Sequence, residues 1–479
     1  MKILNTLIAV LISGCAVAQG YKIDIKVKGL KDTTAFLAYS YGETTYIRDT
    51  AKVNSTGAMT FDNKTRLPDG VYYFVLGKSR VFDFVVSEQQ HFLLETSTAD
   101  YIKNMKVIGD EDNKIFFENL LYNMQRHEEA DPFIKVLKDS TASEEKKKEA
   151  RAGFQKINDV VMAHQAEIIA KYPRTLSARM LKMTQPIEIP EPPKRADGSI
   201  DSSFQLKYYR AHFFDNMDLA DEAFIHMQKP IYAEKVNEYL DKLFVQTPDS
   251  LMAAIEGLVP KVRKNQETYK YLLWLCIYKY QRPGIMGLDE VYVRLNDKYY
   301  QSGLMDFWVN DALKKNMKDQ AEKLRGSLIG KTGANLIMQD QNFQQKSMYD
   351  IKKKYTVLYI FDPDCGHCRT ETPKLVDFYN KNKLKFNVEV FAVSTDTSMV
   401  KMKNYMKEMK MTWITVNGPR SYVGPHSKLY YAEQTPAVYI LDEKKKIIAK
   451  GLPVDKMEDF FINYEKFLQR KAVVKPKGT

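Results

Sequence analysis

Tyr355-Thr356-Val357-Leu358-Tyr359-Ile360-Phe361-Asp362-Pro363-Asp364-Cys365-Gly366-His367-Cys368-Arg369 is the stretch on which the reading of this chain turns. Its first half is an apolar run of the kind that forms a strand covered on both faces, and Asp-Pro-Asp then breaks it. A helix follows from about His367 to Lys381. Two thiols therefore fall where a strand gives way to a helix, with Cys365 at the helix N-terminus, where unpaired backbone N–H groups and the macrodipole favour a thiolate. A free thiol with a pKa near ~8.5 is about 3% ionised at neutral pH, and one lowered to ~7 is about half ionised. Cys365 is accordingly the expected nucleophile. Cys368, one turn deeper on the same helix face, is the expected resolving thiol.

Reading outward, strand and helix alternate from about Gly326: strands at 386–394, 413–416 and 445–450, helices at 400–410 and 456–470, and a strand opened by Thr435-Pro436. Pro373 falls inside the active-site helix and is expected to kink it. Between the thiols, His367 can carry positive charge and favour the thiolate, while Asp362 and Asp364 oppose it. Each such exposed charge contributes about 0.3–1 kcal/mol, so direction of catalysis, reduction against isomerisation, is not set by these residues. With four cysteines in the chain, a C-x-x-C pair arises by accident roughly one time in forty. A zinc site would need a second ligand pair, and the remaining histidines show no ligand spacing, so no metal is expected.

Cys365-Gly366-His367-Cys368, Pro373 and the Thr435-Pro436 strand resemble the thioredoxin-fold proteins of the TlpA/ResA kind over about residues 326–468. The resemblance implies a four-to-five-stranded sheet flanked by helices, Cys365 as nucleophile, Cys368 as resolving thiol and Pro436 as a cis-proline. It also implies thiol:disulfide oxidoreductase activity with no cofactor beyond the redox-active Cys365–Cys368 disulfide. This chain departs from the pattern at Tyr359, where thioredoxins carry a buried acid, and at Phe361, where they carry tryptophan. Glu371 is the nearest acid after Cys368, and helical spacing equally suits it to the surface.

The rest of the chain reads as separate domains, since 479 residues exceed what one core organises. Residues 1–18 have signal-peptide grammar: Lys2, the apolar run Ile8 to Ile12, and Ala16-Val17-Ala18 before the cleavage point. Ile12-Ser13-Gly14-Cys15 is a competing lipobox, with Cys15 as the lipid anchor. Either reading makes the protein exported and periplasmic, in an oxidising compartment. Residues 19–108 read as a β-rich domain, a small antiparallel sandwich or barrel, from the alternation of Tyr21, Ile23, Ile25 and Val27. Residues 109–325 read as an α-helical domain, broken at the proline-rich 186–193, and 326–479 as the α/β domain. Tyr271 to Tyr280 is apolar nearly all round and reads as a buried helix, with Cys276 a small inert hydrophobe within it. Asp110-Glu111-Asp112 and His127-Glu128-Glu129 read as solvated caps and helix faces.

The chain carries a formal charge of +12, but its lysines are interspersed with acids, as in Glu144-Glu145-Lys146-Lys147-Lys148-Glu149. That pattern describes solvated helix faces and excludes a nucleic-acid footprint. The expected partners are disulfide-containing exported proteins, with a membrane electron donor if the protein works as a reductase. Oligomeric state is left open. Two other readings stand beside the oxidoreductase: a binding or scaffold protein using the α/β domain as a docking surface, which would need neither thiol, and a peroxidase, which expects a lone peroxidatic cysteine. Tyr430, Tyr431 and Trp413 are candidates for a substrate groove, with core packing the simpler role for Trp413.

Overall fold

The computed structural model describes residues 20–194 and 197–474; the leader-like segment with Cys15 lies outside the described residues. The chain forms two compact units. One comprises the chain up to Leu243 with Leu258–Tyr271, the other Phe244–Gly257 with the chain from Leu272 onward.

The first unit opens with two four-stranded sheets. One has the order Ala58–Asn63, Tyr21–Lys28, His91–Ser97, Lys106–Ile108, and the other Thr44–Lys52, Thr34–Tyr41, Gly70–Leu76, Ser79–Val86. The alternation along Tyr21–Lys28 does what the sequence implies, burying Tyr21, Ile23, Ile25 and Val27 and exposing Lys22, Lys26 and Lys28. These side chains meet Phe74, Phe82 and Phe84 of the other sheet in one core, which makes the domain a sandwich. It is not wholly antiparallel, because Tyr21–Lys28 runs parallel to His91–Ser97. Alternation reports which face of a strand is buried and is silent on the direction of its neighbour.

Helices follow, led by Glu111–Lys138 and Glu144–Lys171, capped by Asp110 and Ser143. Asp110 is the cap that the sequence implies, but it is buried and not solvated, and the expectation of a solvated face at Asp112 is overturned. Asp112 is buried, and its carboxylate accepts from the backbone N–H groups of Leu176 and Ser177 and from the hydroxyls of Ser87 and Ser177. It thus closes the N-terminus of the Leu176–Met183 helix, 64 residues downstream, a pairing that local sequence does not display. The 186–193 stretch is free of helix, as its prolines require. The helix at Gln266–Gln281 buries Leu272, Leu273, Cys276 and Ile277, but Tyr278 is 68% exposed. Its amphipathic tyrosines hide an outward face inside an apolar-looking run.

The second unit contains a seven-stranded sheet in the order Gln345–Ser347, Ile337–Asp340, Ile414–Asn417, Val388–Ser394, Tyr355–Phe361, Ala437–Leu441, Ile447–Lys450. Tyr355–Phe361, Val388–Ser394 and Ile414–Asn417 are mutually parallel, and the remaining pairings are antiparallel. Every residue of Tyr355–Phe361 is buried. Tyr355, Val357, Tyr359 and Phe361 pack on one face with the helices Gly366–Asn382, Met399–Glu408 and Met457–Val474, while Leu358 and Ile360 join a second core with Leu336, Met348 and Tyr430. The fold is a thioredoxin-like α/β domain. Its sheet has two strands beyond the expected four to five, supplied by the hairpin Ile337–Asp340 and Gln345–Ser347, whose glutamines and lysine disguise it as loop.

Candidate redox site

Phe361 ends the central strand with its carbonyl accepting from Thr395. The chain then turns sharply: Asp364 N–H donates to Asp362 Oδ1 at 2.8 Å, and Cys365 N–H to the Asp362 carbonyl at 3.1 Å. Cys365 occupies the N-cap of Gly366–Asn382 with extended backbone angles, and makes no side-chain cap of its own. Its sulfur is therefore left beside the unpaired N–H groups of the first turn.

The two thiols sit in opposite environments. Cys365 is partly exposed and Cys368 is fully buried. Thr435 acts on Cys365 most strongly: hydrogen bonding from its side chain, followed by the backbone N–H of Cys368, holds the Cys365 thiol below its ordinary value. As a thiol, Cys365 Sγ donates to the Thr435 carbonyl at 3.3 Å, a bond that favours the protonated form and fixes the sulfur's position. Burial pushes Cys368 up to about 12, against the opposing hydrogen bond from Asp362 N–H, 3.5 Å from its sulfur.

Each residue singled out in the sequence has a definite place. Gly366 and His367 are exposed on the first helical turn, and His367 reaches Cys365 through its backbone N–H. Pro373 lies exposed within the helix. Thr435 and Pro436 face Cys365 from the opposite side, joined by a cis peptide bond, immediately before Ala437–Leu441. Asp364 is paired with Lys401 at 2.6 Å, which offsets the charge expected to oppose a thiolate. Glu371 pairs with Lys374 at 2.5 Å and is not part of the thiol site.

Three hydroxyls stand behind the pair where an acid was sought. Tyr359 and Tyr405 each place their hydroxyl 2.7 Å from Thr372 Oγ1, and Thr372 donates to the Cys368 carbonyl at 2.8 Å. All three residues are buried. The ring of Tyr405 stacks on Phe361, with centroids 4.9 Å apart. Sequence spacing made Tyr359 visible as a substitution; Thr372 and Tyr405 become partners only through the fold. Among the described residues there is no cluster of three or more His, Cys, Asp or Glu side chains suited to a metal ion.

A partly exposed N-cap thiol facing a proline loop, with a buried second thiol one turn below, defines a thioredoxin-like dithiol site. Residues 329–450 match the AhpC/TSA family, and residues 178–326 match a domain of unknown function, DUF5106. Among solved structures, a domain of a possible thiol-disulfide isomerase from Cytophaga hutchinsonii is 34% identical, with 30% of this chain and 97% of that domain covered at a TM-score of 0.28. A thioredoxin-like protein from Bacteroides caccae is 17% identical, covering 58% of this chain and 100% of that one at 0.46. The thioredoxin domain of a thiol-disulfide oxidoreductase from Bacteroides vulgatus is 29% identical, covering 29% and 96% at 0.26. No curated protein matches the chain. Through its C-terminal domain the chain belongs to the thioredoxin-like thiol-disulfide oxidoreductases.

Proposed function

We propose that this protein reduces or rearranges disulfides in exported proteins through a mixed disulfide at Cys365 that Cys368 resolves. The Cys365 thiolate attacks one sulfur of the substrate disulfide. The substrate S–S bond breaks, a bond to Cys365 Sγ forms, and the departing substrate thiolate takes a proton. Cys368 then loses its proton and attacks Cys365 Sγ, releasing the second substrate thiol and leaving the Cys365–Cys368 disulfide. The dithiol has lost two electrons and the substrate has gained them. Repeated reduction requires an outside donor of two electrons, which for an exported protein is a membrane donor; in rearrangement the substrate's own thiol reverses the attack and no net electrons move.

The observation that carries this reading is the split between the two sulfurs, one accessible and lowered, one buried and raised. Such a split lets only Cys365 start the reaction and holds Cys368 in reserve until a mixed disulfide forms beside it. Export rests on the N-terminal grammar of residues 1–18, with cleavage after Ala18 or lipidation at Cys15 as its two forms. Insulin reduction tests the activity: wild type is expected to precipitate the insulin B chain in the presence of a dithiol donor, and Cys365→Ser to fall to the uncatalysed rate. Equal rates for the two would replace this reading with the scaffold.

A further inference from the structure

Two runs of lysine meet at the end of the seven-stranded sheet opposite the thiols. Lys352, Lys353 and Lys354 lead into Tyr355–Phe361, while Lys444 and Lys445 lie in the turn from Ala437–Leu441 to Ile447–Lys450. The antiparallel register that sets Thr356 opposite Leu441 brings the runs together across about 90 residues of chain. Between them opens a cavity of about 590 Å³, lined by these five lysines and Asn387 against one acid, Glu443. Lys354 is neutralised by Glu465 at 2.5 Å, Lys352 Nζ is held on the Tyr349 carbonyl at 3.1 Å, and Lys353 and Lys444 are exposed. Lys445 is only 5% exposed, yet among the described residues no carboxylate pairs with it: its Nζ donates to the Ile351 carbonyl at 2.8 Å and to Thr356 Oγ1 at 2.9 Å. Asp442, the acid whose charge reaches it, has its Oδ1 engaged by the backbone N–H groups of Lys444 and Lys446. The backbone of Lys445 also stands at a φ of 61°, in the left-handed region that suits glycine or asparagine. A buried ammonium without a counter-charge, at a turn position that disfavours a side chain, is costly on both counts and marks a place where function is to be sought.

From this arrangement we infer that the cavity is a second ligand site, separate from the dithiol, and that it binds a phosphate ester. The charge balance calls for an anion. With Lys354 already paired, Lys352, Lys353 and Lys444 still outweigh Glu443 around the opening, and Lys445 adds its uncompensated charge from beneath the floor, where low dielectric carries it further than water would. The ligand neutralises that field without touching the Lys445 ammonium, which keeps its two neutral acceptors. The donor set calls for phosphate. Arginine forks match the planar carboxylate, whereas lysine meets phosphate oxygens as a point charge; every cation in the lining is a lysine, and they approach from two separate loops. The volume lies within the range of about 300–1,000 Å³ usual for small-molecule pockets and leaves room for the ester's organic group as well as its phosphate. Tyr355–Phe361, seven residues at about 3.3 Å each, separates this end of the sheet from Cys365 by roughly 20 Å, so the two sites do not share an occupant. The phosphate ester can be the headgroup of an anionic lipid or a soluble molecule, and the chemistry of recognition is the same.

Two probes test this on the full chain at low ionic strength: glycerol 3-phosphate by titration calorimetry, and vesicles of phosphatidylglycerol by cosedimentation, with phosphatidylcholine vesicles as the neutral control. Saturable binding is expected in at least one arm, and succinate, a dianion without phosphate, should bind more weakly than glycerol 3-phosphate. The double variant Lys353→Glu with Lys444→Glu reverses two exposed charges at the opening and should weaken binding about tenfold or more, the scale of a lost charge-assisted contact. Lys315→Glu with Lys318→Glu makes the same change in net charge on the exposed face of Asp311–Arg325 and should leave binding as it was. Lys445→Met keeps the buried stem and removes the charge below the floor, and it too should weaken binding; thermal unfolding shows whether it folds, and the exposed pair carries the test if it does not. Binding to glycerol 3-phosphate alone assigns a soluble ester, and cosedimentation with phosphatidylglycerol that depends on Lys353 and Lys444 assigns a lipid headgroup. Failure of both probes to bind, equal binding of succinate, or equal loss in the two double variants would overturn the assignment.

Discussion

Cys365 Sγ lies 3.3 Å from the carbonyl oxygen of Thr435, a residue 70 positions further along the chain. This contact joins the strand–helix junction to the proline loop, and Thr435 is also the strongest influence lowering the Cys365 thiol. Only the thiolate attacks, and its fraction rises as pH climbs through the thiol's pKa. The alkylation rate of Cys365 is therefore expected to reach half its plateau below the ordinary thiol value of about 8.5. Thr435→Val, which deletes the hydroxyl, should move that midpoint upward. Iodoacetamide rates between pH 5 and 10, followed by mass spectrometry, give the answer; a wild-type midpoint at or above that of a free thiol would contradict it.

Burial that raises Cys368 and Cys276 to about 12 predicts which sulfurs stay silent. A short alkylation pulse on the folded, reduced protein should label Cys365 and spare the other two. Unfolding in guanidinium before the pulse should equalise all three. Rapid labelling of Cys276 in the folded state would show that its helix is not packed as described.

The hydroxyl triad behind the site makes a prediction about stability. Thr372→Val keeps shape but leaves the Tyr359 and Tyr405 hydroxyls without their shared partner, and a buried polar group so stranded costs about 1–3 kcal/mol. The loss should appear as a lower midpoint in guanidinium unfolding at unchanged slope. A variant as stable as wild type would mean the triad adds nothing.

Lys450 and Asp289 form an ion pair with side-chain exposures of 14% and 6%. Asp289→Ala leaves a buried ammonium held only by the Ser327 carbonyl at 2.9 Å, and breaking such a pair costs about 3–5 kcal/mol. Replacing both partners, as in Asp289→Leu with Lys450→Met, should recover much of the loss, because no charge is then stranded. Thermal unfolding of the single and double variants distinguishes this from a pair that contributes nothing.

Much of the α/β domain is legible in the sequence because its signals are local. The apolar run Tyr355–Phe361, the turn residues Asp362-Pro363-Asp364 and the spacing of two thiols are read within fifteen residues, and the structure places Cys365 at a helix N-cap accordingly. What stays hidden depends on distant partners. Asp112 looks like a surface acid until the Leu176–Met183 helix presents its N-terminus to it. Thr372 and Tyr405 carry no mark of sharing a hydrogen bond 33 residues apart. The Ile337–Asp340 and Gln345–Ser347 hairpin is too polar to announce itself, and the parallel pairing of Tyr21–Lys28 with His91–Ser97 is a matter of topology that periodicity does not encode. Tyr431 was one of several aromatics open to a groove; the fold places it in the wall of a cavity and buries Tyr430 and Trp413.

The most direct test is which cysteine traps a substrate. Cys368→Ser, incubated with oxidised insulin, should accumulate a covalent adduct at Cys365 that dithiothreitol releases, since the attacking sulfur is intact and its resolving partner is gone. Cys365→Ser should accumulate none. An adduct on Cys368 in the second variant, with none on Cys365 in the first, would contradict the assignment of the accessible N-cap sulfur as the nucleophile.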